Sequence, residues 1–300
     1  MFGKAQEHRI FYIDRQSGET KEEQIYFESA LRFLYGSYLG KLACKPIATL
    51  PIFSKFFGWW QSLSISKRKI APFVSKFGID PSEFKQTIDQ YDSFNDFFTR
   101  QLKKEARPLA SGAVIPADGR YLFYQNIATC DGFVIKGKKF SLEKLLGSAI
   151  LANRYAEGSM AIARLAPIDY HRFHFPVHCV PNHAELINGP LFSVNPLSIK
   201  QNVELLTENK RMITHLATQH YGTILFIEIG ATSVGCIHQT YTPNKPQNKG
   251  DEKGYFSFGG SSIIVLFESG CIQFAKDLTS HSSQHVETLC LFGQPLENCI

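Results

Sequence analysis

The sequence predicts an α+β fold in which a helical region over residues 1–108 precedes a β-rich domain over residues 109–300. Large apolar residues recur at helix-compatible spacings before residue 80. Further along, Ser93 and Pro108 bracket a short apolar helix and its charged exit. Beyond Pro108, short β-branched and aromatic runs alternate with Gly, Asn, Pro and Asp. We expect the second domain to be mainly antiparallel and sandwich- or barrel-like.

The helical region carries the excess positive charge of the chain. The net formal charge is +5, and residues 29–79 contain eight Lys or Arg residues but no Asp or Glu. Trp59 and Trp60 lie within the same segment. Cationic helices that also carry Trp and Phe are typical of proteins that bind the surface of an anionic membrane. The segment therefore predicts a membrane-associating region, and the alternative is a helical subdomain that buries its aromatic residues.

Composition narrows the remaining classes of protein. A chain that is 44% hydrophobic and 20% charged is not expected to be disordered, and no apolar run approaches the roughly 20 residues of a transmembrane helix. An odd number of cysteines without a CxxC pair, and a start without an apolar signal region, favour a reducing intracellular compartment. We found no nucleic-acid-binding module. We therefore expect a peripheral protein on the cytoplasmic face of the cell membrane.

The elements of the second domain follow from local patterns. The clearest helix is SLEKLLG, which Ser141 should cap and Gly147 should end. Its strands are predicted from apolar runs bounded by turn residues, which are RYLFYQNI, GFVIKG, SMAIARLA, YHRFHFPV, GTILFIEIGATSVGCI, KGYFSFGG and SSIIVLFESG.

Two of these segments concentrate reactive side chains. Asp118 lies in PADG, where an Asx turn would explain it, and His171 and His174 lie in DYHRFH. Two histidines with Asp169 and Arg172 in six residues exceed what packing requires, so general acid–base chemistry is a hypothesis. A zinc site is conceivable, but the spacing matches no zinc motif and we expect no metal.

The third reactive segment is Gly259-Gly260-Ser261-Ser262, directly before an apolar run. A glycine pair here permits a bulge or a strained turn. The segment lacks the lysine of a Walker A loop and the GxSxG pattern of a hydrolase. The chemistry that suits Gly-Ser in such a turn is attack by the serine hydroxyl on the preceding carbonyl.

Taken together and in order, seven segments resemble the phosphatidylserine decarboxylase proenzyme family across nearly the whole chain. They are YDSFNDFFTRQLKKEARPL, PADGR, IKGKKFSLEKLLG, LAPIDYHRFHFPV, LFSVNP, IEIGATSVGCI and KGDEKGYFSFGGSS.

The resemblance implies a pyruvoyl-dependent lyase of phospholipid biosynthesis that is made as a zymogen. It implies autocatalytic cleavage between Gly260 and Ser261, which gives a β chain (1–260) and an α chain (261–300) that stay together as a heterodimer. The α chain would begin with a pyruvoyl group derived from Ser261. This group forms a Schiff base with phosphatidylserine and releases CO₂ to give phosphatidylethanolamine, without a separate cofactor.

The resemblance also implies roles for individual residues. Asp118, His174 and Ser261 match the self-cleavage triad of the family, and His171 matches the histidine associated with decarboxylation. Ser262 stands where the family has threonine, which keeps a hydroxyl.

Two alternatives stay open at this point. One is a non-catalytic, lipid-binding homologue that retains the fold, and the other is a serine hydrolase that uses the same Asp, His and Ser side chains. A dimer of the αβ unit is also possible on the sequence alone.

Overall fold

The computed structural model describes residues 9–23, 51–129, 134–135, 138–139, 141–192, 205–231, 237–257, 259 and 261–298. Gly260 and residues 29–50 of the cationic segment lie outside the described residues, as do residues 193–196 of LFSVNP.

Three helices form the N-terminal helical part of the described chain, namely α1 (Pro51–Ser62), α2 (Ile70–Phe77) and α3 (Phe94–Phe98). The Ser93 side chain accepts a hydrogen bond from the Asp96 amide, which confirms the predicted N-cap of α3. Aromatic rings from α2 and α3 pack edge to face, with Phe73 and Phe94 ring centroids 5.2 Å apart. None of the helices in the described residues is long and apolar enough to cross a membrane.

Fifteen strands are described, most of them in one ten-stranded sheet. They are β1 (Phe11–Asp14), β2 (Thr20–Glu22), β3 (Gly119–Tyr124), β4 (Val134–Ile135), β5 (Lys138–Lys139), β6 (Ser159–Leu165), β7 (Arg172–His174), β8 (Val180–Pro181), β9 (Glu185–Ile187), β10 (Arg211–Ala217), β11 (Thr223–Gly230), β12 (Ile237–Gln239), β13 (Glu252–Phe256), β14 (Ser261–Phe267) and β15 (Glu287–Cys290).

The large sheet runs in the order β2-β1-β15-β3-β6-β14-β11-β10-β8, with β9 also paired to β10. Only β1 and β15 are parallel, and the other neighbours in this sheet are antiparallel. Strand β14 is central, because all seven of its residues pair with β6 on one side and six of them pair with β11 on the other. All seven of its residues are buried, which explains the apolar run IIVLF that follows Ser261 and Ser262.

Both faces of the large sheet are covered. One face packs against a three-stranded sheet of β12, β13 and β7, where Phe173 and Phe256 join a core that includes Ile263 and Val265 of β14. The other face packs against the helices α4 (Leu142–Leu146), α5 (Ala149–Tyr155) and α6 (Leu205–Glu208). The last helix, α7 (Lys276–Ser283), buries Leu278 in the first of these cores. The result is a layered arrangement with β14 near its centre.

The predicted α+β class and the mainly antiparallel sheet are confirmed, and so is the helix between Ser141 and Gly147. The barrel alternative is wrong for the described residues, because the large sheet is open and ends in β2 and β8. The prediction of a helical region over residues 1–108 is also corrected, because β1 and β2 are strands of the large sheet. Tyr12 of β1 is buried beneath the Arg120 guanidinium. The domain boundary after residue 108 stays a prediction.

Candidate active site

Ser261 is the first residue of the central strand β14. It lies opposite Leu165 of β6 and Gly230 of β11, and its side chain is fully buried. Gly259, two residues earlier, has a φ of 138°, which residues with a Cβ rarely adopt. The chain therefore enters β14 through a backbone conformation that glycine allows, and it delivers the Ser261 hydroxyl into the interior.

His171 is the side chain that contacts the Ser261 hydroxyl. Its Nδ1 lies 3.4 Å from Ser261 Oγ, and its Nε2 lies 2.9 Å from the carbonyl oxygen of Ala166. A carbonyl only accepts, so Nε2 carries the proton and Nδ1 presents its lone pair to the serine. The Phe98 ring stacks on the imidazole at a centroid distance of 3.9 Å. An unprotonated ring nitrogen beside a serine hydroxyl can accept the proton of that hydroxyl.

The surroundings keep His171 neutral. Burial lowers the pKa of His171 to about 3, and the nearby Arg100 guanidinium also lowers it because it repels an imidazolium. At neutral pH the ring is therefore unprotonated and its Nδ1 lone pair is free, but a pKa this far below neutral makes it a weak base.

His174 lies near the end of β7 and faces other partners. Its Nδ1–H donates to the carbonyl oxygen of Gly250 at 3.0 Å, which leaves Nε2 to accept from the Tyr170 hydroxyl at 3.3 Å. The Phe292 ring stacks on it at a centroid distance of 3.8 Å. Burial lowers the pKa of His174 to about 4. His174 is therefore a second neutral imidazole, without a hydrogen bond to Ser261.

Asp118 is held by an arginine. Arg107 donates from Nη2 to one carboxylate oxygen at 2.7 Å and from Nε to the other at 3.1 Å, and the Phe292 amide adds a bond at 2.7 Å. Burial raises the pKa of Asp118, while the Arg107 guanidinium opposes that rise. Asp118 does not hydrogen-bond to His174. The two are linked through Phe292, whose ring contacts one and whose amide binds the other.

An open cavity of about 700 Å³ adjoins His174. Tyr170, His174 and Phe292 line its inner wall. Its more exposed rim carries Lys103, Lys104 and Lys249 together with the acids Glu105 and Asp251. Arg107 also lines the cavity, but its guanidinium is paired with Asp118 and Glu83. The lysines leave the rim with a small excess of positive charge, next to the neutral imidazole of His174.

The structure brings Ser261 together with His171, and it places His174 and Asp118 in a neighbouring cluster. The triad of Asp118, His174 and Ser261 that the resemblance implies is not joined by hydrogen bonds, so the roles of the two histidines stay a prediction. Sequence reasoning missed Arg107 as the partner of Asp118, and it missed Phe98 as the ring that covers His171. The separation of Arg107 and Asp118 along the chain gives no indication that they pair. The aromatic run of α3 could have indicated that Phe98 covers a residue of the site.

The two buried histidines should destabilise the fold in acid. Folding keeps them neutral, with pKa values of about 3 and about 4, whereas the ordinary value is 6.5. Below pH 6.5 the unfolded chain therefore binds protons that the folded chain does not, so stability falls as the pH falls. Each histidine should remove about 1.4 kcal/mol of unfolding free energy per pH unit below its ordinary value, until its folded pKa is reached.

Urea titrations between about pH 7.5 and pH 5 measure this effect. The Ser261→Ala chain is suitable because it lacks the hydroxyl to which the family resemblance assigns self-cleavage. We expect a shallower decline when His171→Asn or His174→Asn is added, and an unchanged slope would contradict the neutral state of that histidine.

Comparison with known proteins gives a consistent result. The sequence model of a family described as phosphatidylserine decarboxylase matches residues 94–290. A phosphatidylserine decarboxylase proenzyme of Chlamydia caviae is 49% identical over 291 residues, which cover 96% of this chain and 97% of that protein. The proenzyme of Chlamydia pneumoniae is 48% identical over 288 residues, which cover 95% and 96%. That of Chlamydia trachomatis serovar L2 is 44% identical over 290 residues, with 96% coverage of both chains.

Proposed function

The chain belongs to the phosphatidylserine decarboxylase family, and from this membership we propose that it is a carboxy-lyase that converts phosphatidylserine to phosphatidylethanolamine and CO₂. The observation that links this activity to the site is the buried contact between Ser261 Oγ and the unprotonated Nδ1 of His171. It supports a serine that acts on its own chain, because the contact pairs the hydroxyl that follows the Gly260-Ser261 bond with an unprotonated ring nitrogen.

Self-cleavage is the first step of this proposal. Ser261 Oγ attacks the carbonyl carbon of Gly260, and its proton passes to a neighbouring base. The C–N bond before Ser261 breaks as an ester forms, and the freed amino group takes up the proton. Loss of the Ser261 α-proton then expels the Gly260 carboxylate and leaves dehydroalanine. This tautomerises to an imine, and water hydrolyses it with release of ammonia, so that a pyruvoyl group remains.

The site suits such a group. The residue that would become the pyruvoyl is buried, and the neutral imidazole of His171 and the covering ring of Phe98 are already in place beside it. Once formed, a pyruvoyl group supplies a ketone that binds the amine of the substrate and a conjugated carbonyl that accepts the electrons left by CO₂. Serine is required because its hydroxyl forms the ester and then leaves as part of the Gly260 carboxylate, while its β-carbon becomes the methyl group of the pyruvoyl. The ketone oxygen comes from water.

The basic cavity beside His174 is suited to bind the headgroup of the lipid substrate. Phosphatidylserine carries a phosphate and a carboxylate, and the cations Lys103, Lys104 and Lys249 at the rim suit such anions. His174 lines this cavity, and His171, which contacts Ser261, lies three residues earlier in the chain. We infer that this cavity receives the headgroup.

Intact mass spectrometry of the purified protein tests the proposal. We expect two chains, residues 1–260 and residues 261–300, with the second starting in pyruvoyl instead of serine. Treatment with hydroxylamine, which attacks ketones, should abolish CO₂ release, whereas a fluorophosphonate should not. A single uncut chain with full decarboxylase activity would refute the cleavage, and a fluorophosphonate adduct on Ser261 would favour a hydrolase.

The aromatic residues of the N-terminal helices support peripheral membrane binding. Phe73, Phe94 and Phe97 are buried, but Phe56, Trp59 and Trp60 of α1 are 58%, 56% and 45% exposed. Trp59 and Trp60 lie three and four residues after Phe56 on the helix, and Phe56 contacts both tryptophans. Exposed cations follow directly along the chain, at Arg68, Lys69 and Lys76. We propose that this surface, the α1 aromatic surface, rests on the anionic cytoplasmic face of the membrane.

Vesicle cosedimentation of the Ser261→Ala chain measures this binding without turnover. Replacing Arg68, Lys69 and Lys76 with Gln should weaken binding to phosphatidylserine vesicles on the order of a hundredfold, since each cation contributes about 1 kcal/mol near an anionic surface. Binding should also weaken as salt rises. Trp59→Ala with Trp60→Ala should weaken it even at high salt.

Ile150→Ser is the matched control for the vesicle experiment. Ile150 is 82% exposed on α5, and we expect its loss to leave binding unchanged. Binding that ignores both salt and the tryptophans would contradict a role for the α1 aromatic surface.

A further inference from the structure

The bond proposed for cleavage lies in a short connection between the two sheets. Strand β13 ends at Phe256 in the three-stranded sheet, and β14 begins at Ser261 in the large sheet. The downstream end of this connection is fixed, because β14 pairs with β6 and β11 on its two sides. Attack by Ser261 on the Gly260 carbonyl requires the reacting atoms to be held about 3 to 3.5 Å apart. The upstream end of the connection therefore needs a restraint as well.

That restraint is a hydrogen bond between Ser257 and His238. Ser257 is the residue directly after β13, and its Oγ lies 2.8 Å from His238 Nε2. Burial lowers the pKa of His238, so its ring is neutral at neutral pH. A serine hydroxyl both donates and accepts, so either neutral tautomer of His238 makes this bond.

His238 ends a row of stacked side chains on the three-stranded sheet. His238, Tyr255 and Arg172 are cross-strand neighbours on β12, β13 and β7. The Tyr255 ring stacks on the imidazole at a centroid distance of 4.5 Å, and the Arg172 guanidinium lies over the same ring at 4.9 Å. Arg172 is itself held, because Nη1 donates to the Glu252 carboxylate at 2.7 Å and Nε donates to the Thr99 carbonyl oxygen at 2.9 Å. The row therefore fixes the orientation of the His238 ring.

The strand that carries His238 is also fixed relative to the large sheet. The next residue, Gln239, accepts a hydrogen bond from the buried Lys253 Nζ at 2.8 Å, and Lys253 also pairs with Glu228 of β11. Strand β12 lies so close to β13 that a Cβ at Gly254 would be 2.0 Å from the His238 carbonyl oxygen. His238 thus has a defined position relative to β11, which is bonded to β14.

We propose that His238 is a positioning residue for self-cleavage, and that its hydrogen bond to Ser257 holds the chain before Gly260 within reach of the Ser261 hydroxyl. We call this hydrogen bond the upstream anchor. The inference rests on the proposed function, because it concerns the same cleavage. It holds whichever residue accepts the proton of Ser261, since His238 acts through Ser257 alone.

Cleavage of freshly synthesised chain in a cell-free translation reaction gives the first readout. His238→Phe keeps a ring that stacks on Tyr255 but has no nitrogen to bond to Ser257. It should slow the appearance of the 261–300 fragment about threefold to tenfold, as the loss of one hydrogen bond does. Ser257→Ala should slow it by the same factor. Wild-type rates in both variants would overturn the proposal.

Conservative variants and a double variant test whether one bond carries the effect. Ser257→Thr and His238→Gln each retain a group that can form the anchor, and they should recover most of the rate. The chain with both His238→Phe and Ser257→Ala should be no slower than the slower single variant. Multiplied effects would show that the two residues act separately, and they would overturn the proposal.

Hydroxylamine separates the attack step from the later elimination. It cleaves the ester at Ser261 as soon as the ester forms, and it leaves an α chain that begins with serine instead of pyruvoyl. Positioning of the chain before Gly260 acts on the attack, so His238→Phe should slow this trapped cleavage as much as self-cleavage. Trapping at the wild-type rate would mean that the attack does not depend on the anchor, and the proposal would be wrong.

The matched control is His281→Phe. Nδ1 of His281 lies 3.1 Å from Thr288 Oγ1, so this change also removes a bond between a histidine and a hydroxyl. His281 lies on α7, which packs on β3 and β15. We expect His281→Phe to cut at the wild-type rate. Slowing equal to that of His238→Phe would show that cleavage responds to any such loss, which would contradict a specific role for the anchor.

Chymotrypsin digestion of the Ser261→Ala chain tests the anchor without self-cleavage. Phe258 directly follows Ser257 and is a site for this protease. His238→Ala, which adds no new site, should let the protease cut after Phe258 several-fold faster than in the parent chain. Equal rates would overturn the proposal. A wild-type chain that never cuts itself would refute the proposed function, while this digestion would still test the anchor.

Discussion

Ser261→Ala is expected to leave one uncut chain of 300 residues with no measurable decarboxylase activity. Alanine has no hydroxyl to attack the Gly260 carbonyl, so no ester forms and no pyruvoyl group can follow. The substitution removes one hydroxyl whose partner is His171, at 3.4 Å, so the fold should persist. Intact mass spectrometry and CO₂ release from phosphatidylserine vesicles measure the two effects separately.

The adjacent serine provides the control for Ser261→Ala. Ser262 is also buried in β14, and its hydroxyl has no hydrogen-bond partner among the described residues. Ser262→Thr keeps a hydroxyl and restores the residue usual in the family, so it should cut normally. Cleavage of the Ser261→Ala chain before residue 261 would mean that another nucleophile acts, and the proposal would be wrong.

The second large effect separates the two histidines. His171→Ala should slow self-cleavage by about 10²- to 10⁴-fold, because a positioned general base contributes that much and Nδ1 of His171 is the acceptor that contacts Ser261. His174→Ala should still cut, since its ring bonds to Gly250 and Tyr170 instead. It should lower CO₂ release, because His174 lines the cavity that we assign to the headgroup.

The family resemblance leads to the opposite expectation. It assigns self-cleavage to His174 and decarboxylation to His171. Gel analysis of processing and a CO₂-release assay on each variant decide between the two. Uncut His174→Ala together with normally cut His171→Ala would restore the triad of Asp118, His174 and Ser261, and it would mean that these side chains rearrange before the attack. His171→Gln and His174→Gln serve as variants of closer volume.

The fold was predictable where local chemistry determines it. Ser93 and Ser141 cap their helices and Gly147 ends one of them, because capping depends on residues within one turn. Strand β1 was missed because its parallel partner β15 lies at the other end of the chain, and nothing near Phe11 indicates it. The open edge of the sheet was missed because alternation of apolar residues does not reveal whether a sheet closes.

The site was predictable to the extent that motifs name its reactive side chains. Ser261, His171, His174 and Asp118 follow from three short segments. The hydrogen-bond partners of these side chains cannot be predicted in the same way. Arg100 and Lys103 are two cations in the same short segment, and nothing in the sequence indicates that Arg100 is buried while Lys103 is exposed. Burial of a charge depends on contacts with distant residues, and a single sequence does not display them.

If the chain is cut before Ser261 as proposed, the central position of β14 should hold the two fragments together. Cleavage before Ser261 would leave the short fragment as the middle strand of the large sheet, bonded along β6 and β11, and with β15 held between β1 and β3. The fragment could dissociate only if the hydrogen bonds of that sheet were broken. The two chains should therefore stay together although no covalent bond joins them. Once denatured, however, it would have to reassemble from two molecules, and recovery would depend on their concentration. The lifetime of the cleaved enzyme should therefore be set by the rate at which it unfolds, and not by an equilibrium between folding and unfolding.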